Sequence, residues 1–405
     1  MFFISLKQNN SFLYGLLVYI IDKRLFRKRT LMIEIVEAKN KKQMKLFATF
    51  PVKLYSKCKY YVPSIVEDEM VIQDETKNFS KGTSDCKCFL AYKDGKLVGR
   101  ICGIINHESN KKFNEKCIRF NRIDFINDVE VARALIKAVM DYGRENGLDT
   151  IHGPWGFNDT DREGMLTEGF DKISNYATNY SYPYYIKIME SLGFEKESEW
   201  VEFQFDIKHT DPRFHEVAEQ LRSQGYRDLC DTLTVKKIIK EYGDKFFECY
   251  NRSYAALDNF VPVEGESKKA TLKQFGTILN RNYFSVIVDK YDNVVAFGVG
   301  LPFIGKVLRN AKGRMLWAAI PLLLTIKNPK AVELALIGVD PIYRNYGIHA
   351  LVVDRFINSF KKHHITEIFM DPVLTTNSKM LQTWKGMEKT VRQRRQTFKR
   401  PIGEL

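Results

Sequence analysis

The sequence of 405 residues has no apolar run long enough to cross a bilayer, which takes about 20 residues as a helix. Its two most apolar stretches, FLYGLLVYII (residues 12–21) and MLWAAIPLLLTI (residues 315–326), both fall short, so no stable membrane span is expected. No small-residue cleavage site follows the first stretch; Asp22, Lys23 and Arg24 do. There is no G-x-x-x-x-G-K-[ST], which excludes a P-loop. The 7 cysteines are odd in number and lack the spacing of a disulfide framework. Cys86 and Cys88 form a C-x-C without the second Cys/His pair that structural zinc requires, so reduced thiols and no metal are expected. No Pro-, Ser- or Gln-rich tract points to long disorder. No Ser-His-Asp arrangement stands out. These absences leave a folded, cytoplasmic protein as the expectation.

What is present fits that class. The chain is 44% apolar and 28% charged, as in soluble globular proteins, and its length suggests two or three domains. The net charge of +14 is spread among acids except in two clusters, residues 23–29 and 389–400. A solvated basic terminus, or one that meets ligand phosphates, accounts for the second cluster better than nucleic acid does. Residues 1–31 stand outside the main pattern. They read either as a membrane-surface anchor, because basic residues flank the apolar run, or as an extension ahead of a natural start at Met32.

From Ile33 the chain repeats one order of elements. In the first half a strand (residues 33–38) and a helical segment precede a hairpin (88–106) bent at Lys93-Asp94-Gly95-Lys96. A strand (117–126), a helix capped by Asn127 or Asp128 and closed by Gly147, and a strand (149–153) follow. A Tyr-rich helix, Ser191 to Phe194 and a last strand (200–207) finish the half. The second half starts at Thr210-Asp211-Pro212, with proline suited to a first helical turn. It has a long helix, a hairpin (284–302) bent at Asp292-Asn293, a strand (332–339), a helix and a strand (365–371). Residues 303–330 are an insertion, either a buried helix closing a core or an apolar wall or lid. Hairpins alternating with helices imply an α/β chain of the α+β type, with a mixed, mainly antiparallel sheet flanked by helices in each half. The expected divisions are 1–31, 32–207 and 208–405.

The most informative segment is ELALIGVDPIYRNYGIHALVVDRFINSF (residues 333–360), a buried strand, a polar turn and an amphipathic helix. Such a turn aims free backbone N–H groups outward at a helix start, where an anion such as phosphate is favoured. Gly347 lets backbone approach a ligand closely, and Gly338 suits a bulge that splays the sheet. The order of elements, with Val339-Asp340-Pro341 and then Arg344-Asn345-Tyr346-Gly347-Ile348-His349, resembles the GNAT superfamily of acyl-CoA-dependent N-acyltransferases. It looks most like tandem members of that family, with two GNAT-like domains from Met32 onward. The resemblance implies an N-acyltransferase, most simply an acetyltransferase. It would move an acyl group from acetyl-CoA or another acyl-CoA to a small-molecule or peptide amine. It places the cofactor on Ile337, Val339, Arg344, Asn345, Tyr346, Gly347, Ile348, His349 and Ala350.

The sequence also departs from the family. His349 stands where Gly or Ala is usual. The first half has FINDVEVARAL (residues 125–135) in place of the motif, so a single cofactor site in the second half is expected. The tyrosine that protonates the leaving thiolate in many members falls here on Trp384, counted from Asn377, and on Met189 in the first half, with Tyr184 and Tyr185 as substitutes. The family's base position points to Glu333, placed on the face of Ala335, Ile337 and Val339 by period two, with Asp371 as a second candidate. The loop of residues 152–171 imitates the opening of a calcium loop, but Phe170 occupies the place of its bidentate Glu. It reads as a surface loop or as a collector of a cationic amine through Asp159 and Asp161. The departures keep a second reading open, a non-catalytic GNAT-like module that binds acyl-CoA or scaffolds a partner.

Overall fold

The computed structural model describes residues 33–405 except 79–80, 83, 159–160, 258–259, 261, 266–267, 270 and 273–277. The apolar run of residues 12–21 and Asp159 therefore lie outside the described residues. The first half contains β1 (Ile33–Glu37), α1 (Lys41–Leu54), α2 (Val66–Glu69), β2 (Ser84–Lys93), β3 (Lys96–Asn106), α3 (His107–Phe113), β4 (Cys117–Phe125), α4 (Val129–Glu145), β5 (Thr150–Gly153), β6 (Met165–Glu168), α5 (Tyr184–Ser191) and β7 (Glu195–Thr210). The second contains α6 (Arg213–Ser223), β8 (Arg227–Asp228), α7 (Val235–Tyr254), β9 (Phe284–Val288), β10 (Val294–Pro302), α8 (Gly305–Asn310), α9 (Met315–Lys327), β11 (Ala331–Val339), α10 (His349–Lys362), β12 (Glu367–Met370), β13 (Val373–Leu374), α11 (Ser378–Thr383) and β14 (Met387–Pro401).

Local chemistry accounts for these elements. Asp94 (φ 52°) and Gly95 (φ 73°) make the tight turn of the β2–β3 hairpin, matching the left-handed residues that two-residue hairpins require. The side chain of Asp128 accepts a hydrogen bond from the Glu130 N–H and caps α4, and Gly147 takes a left-handed φ of 71° just beyond that helix. In α4 the residues Ala132, Leu135, Ile136, Val139 and Met140 are all buried, one stripe at helical spacing that packs on β3 and β4.

The strands form one mixed sheet in the order β1-β2-β3-β4-β5-β14-β7-β12-β11-β10-β9-β8. β4–β5 and β11–β12 are parallel and their neighbours antiparallel. The two halves exchange their last strands. β14, from the end of the second half, pairs with β5 of the first through Phe398↔Gly153 and Arg400↔Ile151. β7, which spans the division expected at residue 207, pairs with β12 of the second half through Ile368↔Phe205. β7 and β14 run antiparallel beside each other along most of their lengths. The basic run of residues 389–400 is therefore a central strand rather than a solvated terminus, and Arg392 and Arg395 within it are buried.

Three main cores follow. α4 and α5 cover β3, β4 and β5. α6 and α10 cover one face of β9 to β12, and α7 covers the other. The insertion forms α9, but its apolar side chains are not buried: only Ala318 and Leu322 are.

Candidate functional site: a splayed sheet, an uncapped helix and a buried carboxylate pair

β11 and β12 pair only from Ala331↔Glu367 to Leu334↔Met370. Beyond Leu334 the strands part, and residues 335–339 have no strand partner on the β12 side among the described residues; the Ile337 carbonyl accepts from the Tyr254 hydroxyl at 3.2 Å. The parting coincides with a bulge: opposite Val299 and Gly300 of β10 stand Leu336 and Leu334, so Ala335 is the extra residue. This corrects two expectations. The bulge is at Ala335, not Gly338; a Cβ on Gly338 would instead meet the Phe297 ring at 2.4 Å. The extra residue also breaks the period of two, so Glu333 does not share a face with Ile337 and Val339. Those two pack with Leu334 in the α10 core, whereas Leu336 packs in the α7 core.

The turn beyond β11 is held from below. The Asp340 carboxylate accepts from Arg252 Nε at 2.8 Å and from the Ile342 N–H at 3.2 Å. Tyr343 donates its hydroxyl to Asp289 at 2.7 Å, and Arg344 donates to the Ser253 carbonyl at 2.8 Å. Asn345 (φ 74°) and Gly347 (φ 76°) are both left-handed. None of the N–H groups of Asn345, Tyr346, Gly347, Ile348 and His349 has a partner among the described residues, and no side chain caps α10. This is the anion-binding arrangement of a helix start, N–H groups and dipole together. Asn345, Gly347 and His349 face the large cleft between the halves, and Tyr346 is exposed. Ala350 differs from expectation: its N–H already donates to the Gly347 carbonyl at 2.8 Å, and its side chain is buried. Ile348 is likewise buried, leaving only its N–H available. His349 sets its ring edge-on to Phe214, with centroids 6.3 Å apart, and burial pushes the ring below its usual pKa. It therefore presents a neutral imidazole.

At the foot of the splay lie two carboxylates. Glu333 is 2% exposed and accepts from the Tyr176 N–H at 3.3 Å. Asp371, half-buried at the end of β12, accepts from Asn175 Nδ2 at 3.0 Å. Burial, then the neighbouring Asp371, pushes the Glu333 carboxyl well above the usual carboxylate range. Burial, then the Glu202 charge, pushes Asp371 up to about 7. Glu202 is itself enclosed by Arg395, at 2.5 and 2.8 Å, and Arg392, at 3.4 Å. Arg392 also donates to Asn175 Oδ1 at 2.9 Å. The site thus draws on both halves: residues 173–179 of the first half lie over the carboxylates that β11 and β12 of the second half supply. Sequence reading missed Asn175, Tyr176, Glu202 and Arg392, because the contacts are 157–217 residues apart along the chain. No strand-like alternation marks them: Arg392, Arg395 and Phe398 fall three apart, across register shifts of β14, in a segment that reads as merely basic.

The first half has the same scaffold with its openings closed. β4 bulges opposite Ile101, where Arg100↔Asp124 and Cys102↔Asn121 flank an irregular step. Its open end is occupied by α5: Tyr184 donates to the Phe125 carbonyl at 2.5 Å, and the Phe125 N–H donates to Tyr185 at 2.9 Å. Tyr184 and Tyr185 therefore satisfy backbone rather than stand free as acids. The start of α4, the counterpart of α10, is capped by Asp128, which also pairs with Lys93 at 2.5 Å. A carboxylate already sits where an anion would bind.

Asp161 lines the cleft, but both of its oxygens are engaged by Arg122 at 3.1 Å, so its charge is compensated. Burial would raise the Glu69 carboxyl beside it; Arg122 and Arg100 overcome that and hold it at about 2. Trp384 packs on Phe205 in the core, with centroids 4.9 Å apart, and contributes no group to the cleft.

Comparison with known proteins places the fold. No family model matches the chain. Protein YghO of Escherichia coli (strain K12) is 25% identical over 350 residues, covering 84% of this chain and 88% of YghO. A bacterial ceramide synthase of Caulobacter vibrioides is 22% identical over 318 residues, covering 76% of this chain and 80% of that protein. Among solved structures, a tandem GNAT protein from the clavulanic acid biosynthesis pathway superposes with a TM-score of 0.55 at 12% identity, covering 92% of this chain and 99% of that one. The chain has the tandem GNAT fold.

Proposed function

We propose that the chain is an acyl-CoA-dependent N-acyltransferase with one cofactor site, in its second half. The observation that carries this is the row of unpartnered N–H groups at residues 345–349 ahead of an uncapped helix, set against the capped helix at the matching place in the first half. A diphosphate fits that row, and Gly347 lets it come close. The edge of residues 335–339, without a strand partner and with the Ile337 carbonyl alone engaged by Tyr254, suits the amide-bearing pantetheine arm, which binds as a strand does.

Acyl-CoA supplies an acyl group activated as a thioester. The chain's own residues then manage orientation and protons. The turn and strand edge hold the thioester at the splay, beside Asp371 and Glu333. Asp371, with a pKa of about 7, takes the proton that the amine loses. Glu333, kept neutral by its surroundings, holds a proton for the departing thiol. Positioning of this kind lowers barriers by up to roughly 7–11 kcal/mol. As acceptor we favour an amine with a hydrocarbon tail: one relative is named a ceramide synthase, ceramide is an N-acylated long-chain amine, and apolar Ile65 and Val71 line the cleft.

Calorimetric titration with CoA thioesters tests the site. Wild-type protein gives a saturable heat and Gly347→Val gives none, since φ 76° is strained for any side chain and Val217 lies 3.1 Å from a Cβ there. A thiol-release assay over an amine panel that includes long-chain amines separates the enzyme from a module that only binds. No heat at millimolar thioester would overturn the proposal.

A further inference from the structure

α9 is exposed on the side where a soluble protein would be polar. Leu316 is 85% exposed, Trp317 68%, Ile320 73%, Leu323 68% and Leu324 65%. These five recur at helical spacing and form one apolar face; the opposite side is seated by Ala318 and Leu322. Scattered exposed apolar residues need no explanation, but a contiguous patch of this kind marks an interaction surface. A patch alone does not name its partner. The charge around it does. From Phe303 to Val332 the sequence has no Asp or Glu and six basic residues, Lys306, Arg309, Lys312, Arg314, Lys327 and Lys330. Lys312 and Arg314 precede the helix, and Lys327 and Lys330 end or follow it. These four are exposed, and none is in an ion pair with a described residue. An apolar face with tryptophan and leucine, bracketed by cations at both ends, is complementary to the interface of an anionic bilayer. At about 1.5 Å per residue, a helix of 13 residues reaches about 20 Å, short of a hydrocarbon core of about 30 Å. It lies in the plane of the surface and does not cross.

We infer that α9 docks the protein on anionic membranes, its apolar face entering the headgroup–acyl boundary and its flanking basic residues meeting lipid phosphates. The docked pose places the cleft at the surface. Ala318 packs with Val62 and Leu308, and Ile65 and Tyr176 join the same cluster. Ile65 and Tyr176 also line the cleft, and the Tyr176 N–H meets Glu333. Resting on the acyl-transfer reading, this geometry gives a membrane-dissolved amine a short route from the bilayer to the carboxylate pair.

The test uses the full chain and vesicles of phosphatidylglycerol with phosphatidylethanolamine, against phosphatidylcholine alone. Trp155, Trp200 and Trp384 are buried, so Trp317 reports contact with lipid. Expected are flotation with the anionic vesicles, at least tenfold weaker partition to phosphatidylcholine, a blue shift of the tryptophan emission, and quenching by bromine-labelled acyl chains. Trp317→Phe should remove the shift and keep flotation. Changing Leu316, Ile320, Leu323 and Leu324 to Ser together should lower partition at least tenfold, with thermal unfolding unchanged as the check on folding. Gly347→Val must still float, so docking and cofactor binding fail separately. No flotation of the wild type at any lipid concentration overturns the inference. So does flotation that the Ser variant retains, or self-association that disappears in that variant while vesicles are ignored, the latter marking an interface between copies.

Discussion

Asp371 and Glu69, both in the cleft between the halves, respond to pH in opposite ways. The Asp371 pKa is raised to about 7, so between the ordinary carboxylate range and pH 7 the native state holds a proton that the unfolded chain has released. Stability from this group is therefore full in acid and falls as pH rises toward 7. The rate behaves inversely: kcat/KM should climb with pH around 7 as Asp371 ionises, and Asp371→Asn should remove that rise and lower kcat/KM by about 100-fold or more, read from pH–rate profiles. Glu69 is the contrary case. Held at about 2, it stabilises the native state above its ordinary pKa, and that stability is lost as pH falls toward 2. Glu202, fully buried between Arg392 and Arg395, tests the buried network directly. Glu202→Ala strands two buried cations and should cost about 3–5 kcal/mol in denaturant unfolding. Individual residues were the least legible level of the sequence. The turn of Arg344 to His349 announces itself, because glycine and polar residues sit where hydrophobic periodicity changes. Asn175 and Arg392 carry no local mark, since what they do is set by a partner in the other half.

At the scale of elements, α4 and α10 make a matched pair. Both follow a bulged strand, and both start at the rim of a parting between parallel strands. They differ in one carboxylate: Asp128 caps α4, while α10 has no side-chain cap. Asp128→Ala should cost about 0.5–2 kcal/mol and leave the affinity for CoA thioesters unchanged, measurable by thermal unfolding and calorimetry on the same sample. Hairpins, caps and the stripe of α4 could be read in advance because each is decided within a few residues. β14 could not. Its arginines suggest a solvated tail, and only the buried Glu202 opposite them makes a central strand affordable. α9 misled in the other direction. An apolar run normally means burial, and here it is presented outward because its neighbours cover only one side.

For the whole molecule, the shared sheet is the dominant fact. β5 and β12 are each completed by a strand from the other half, so neither half has a full sheet of its own. Unfolding should therefore be a single cooperative transition, coincident by far-UV dichroism and by tryptophan fluorescence, which samples Trp155 and Trp200 in one half and Trp317 and Trp384 in the other. Two separated transitions would contradict it. The exchange also imposes an order on biogenesis. β14 leaves the ribosome after every other described element, yet it is the seam on which β5 and β7 close. Until it emerges, the nascent chain carries two exposed strand edges side by side, a state that invites pairing with another copy, and the arrival of β14 is what seals it.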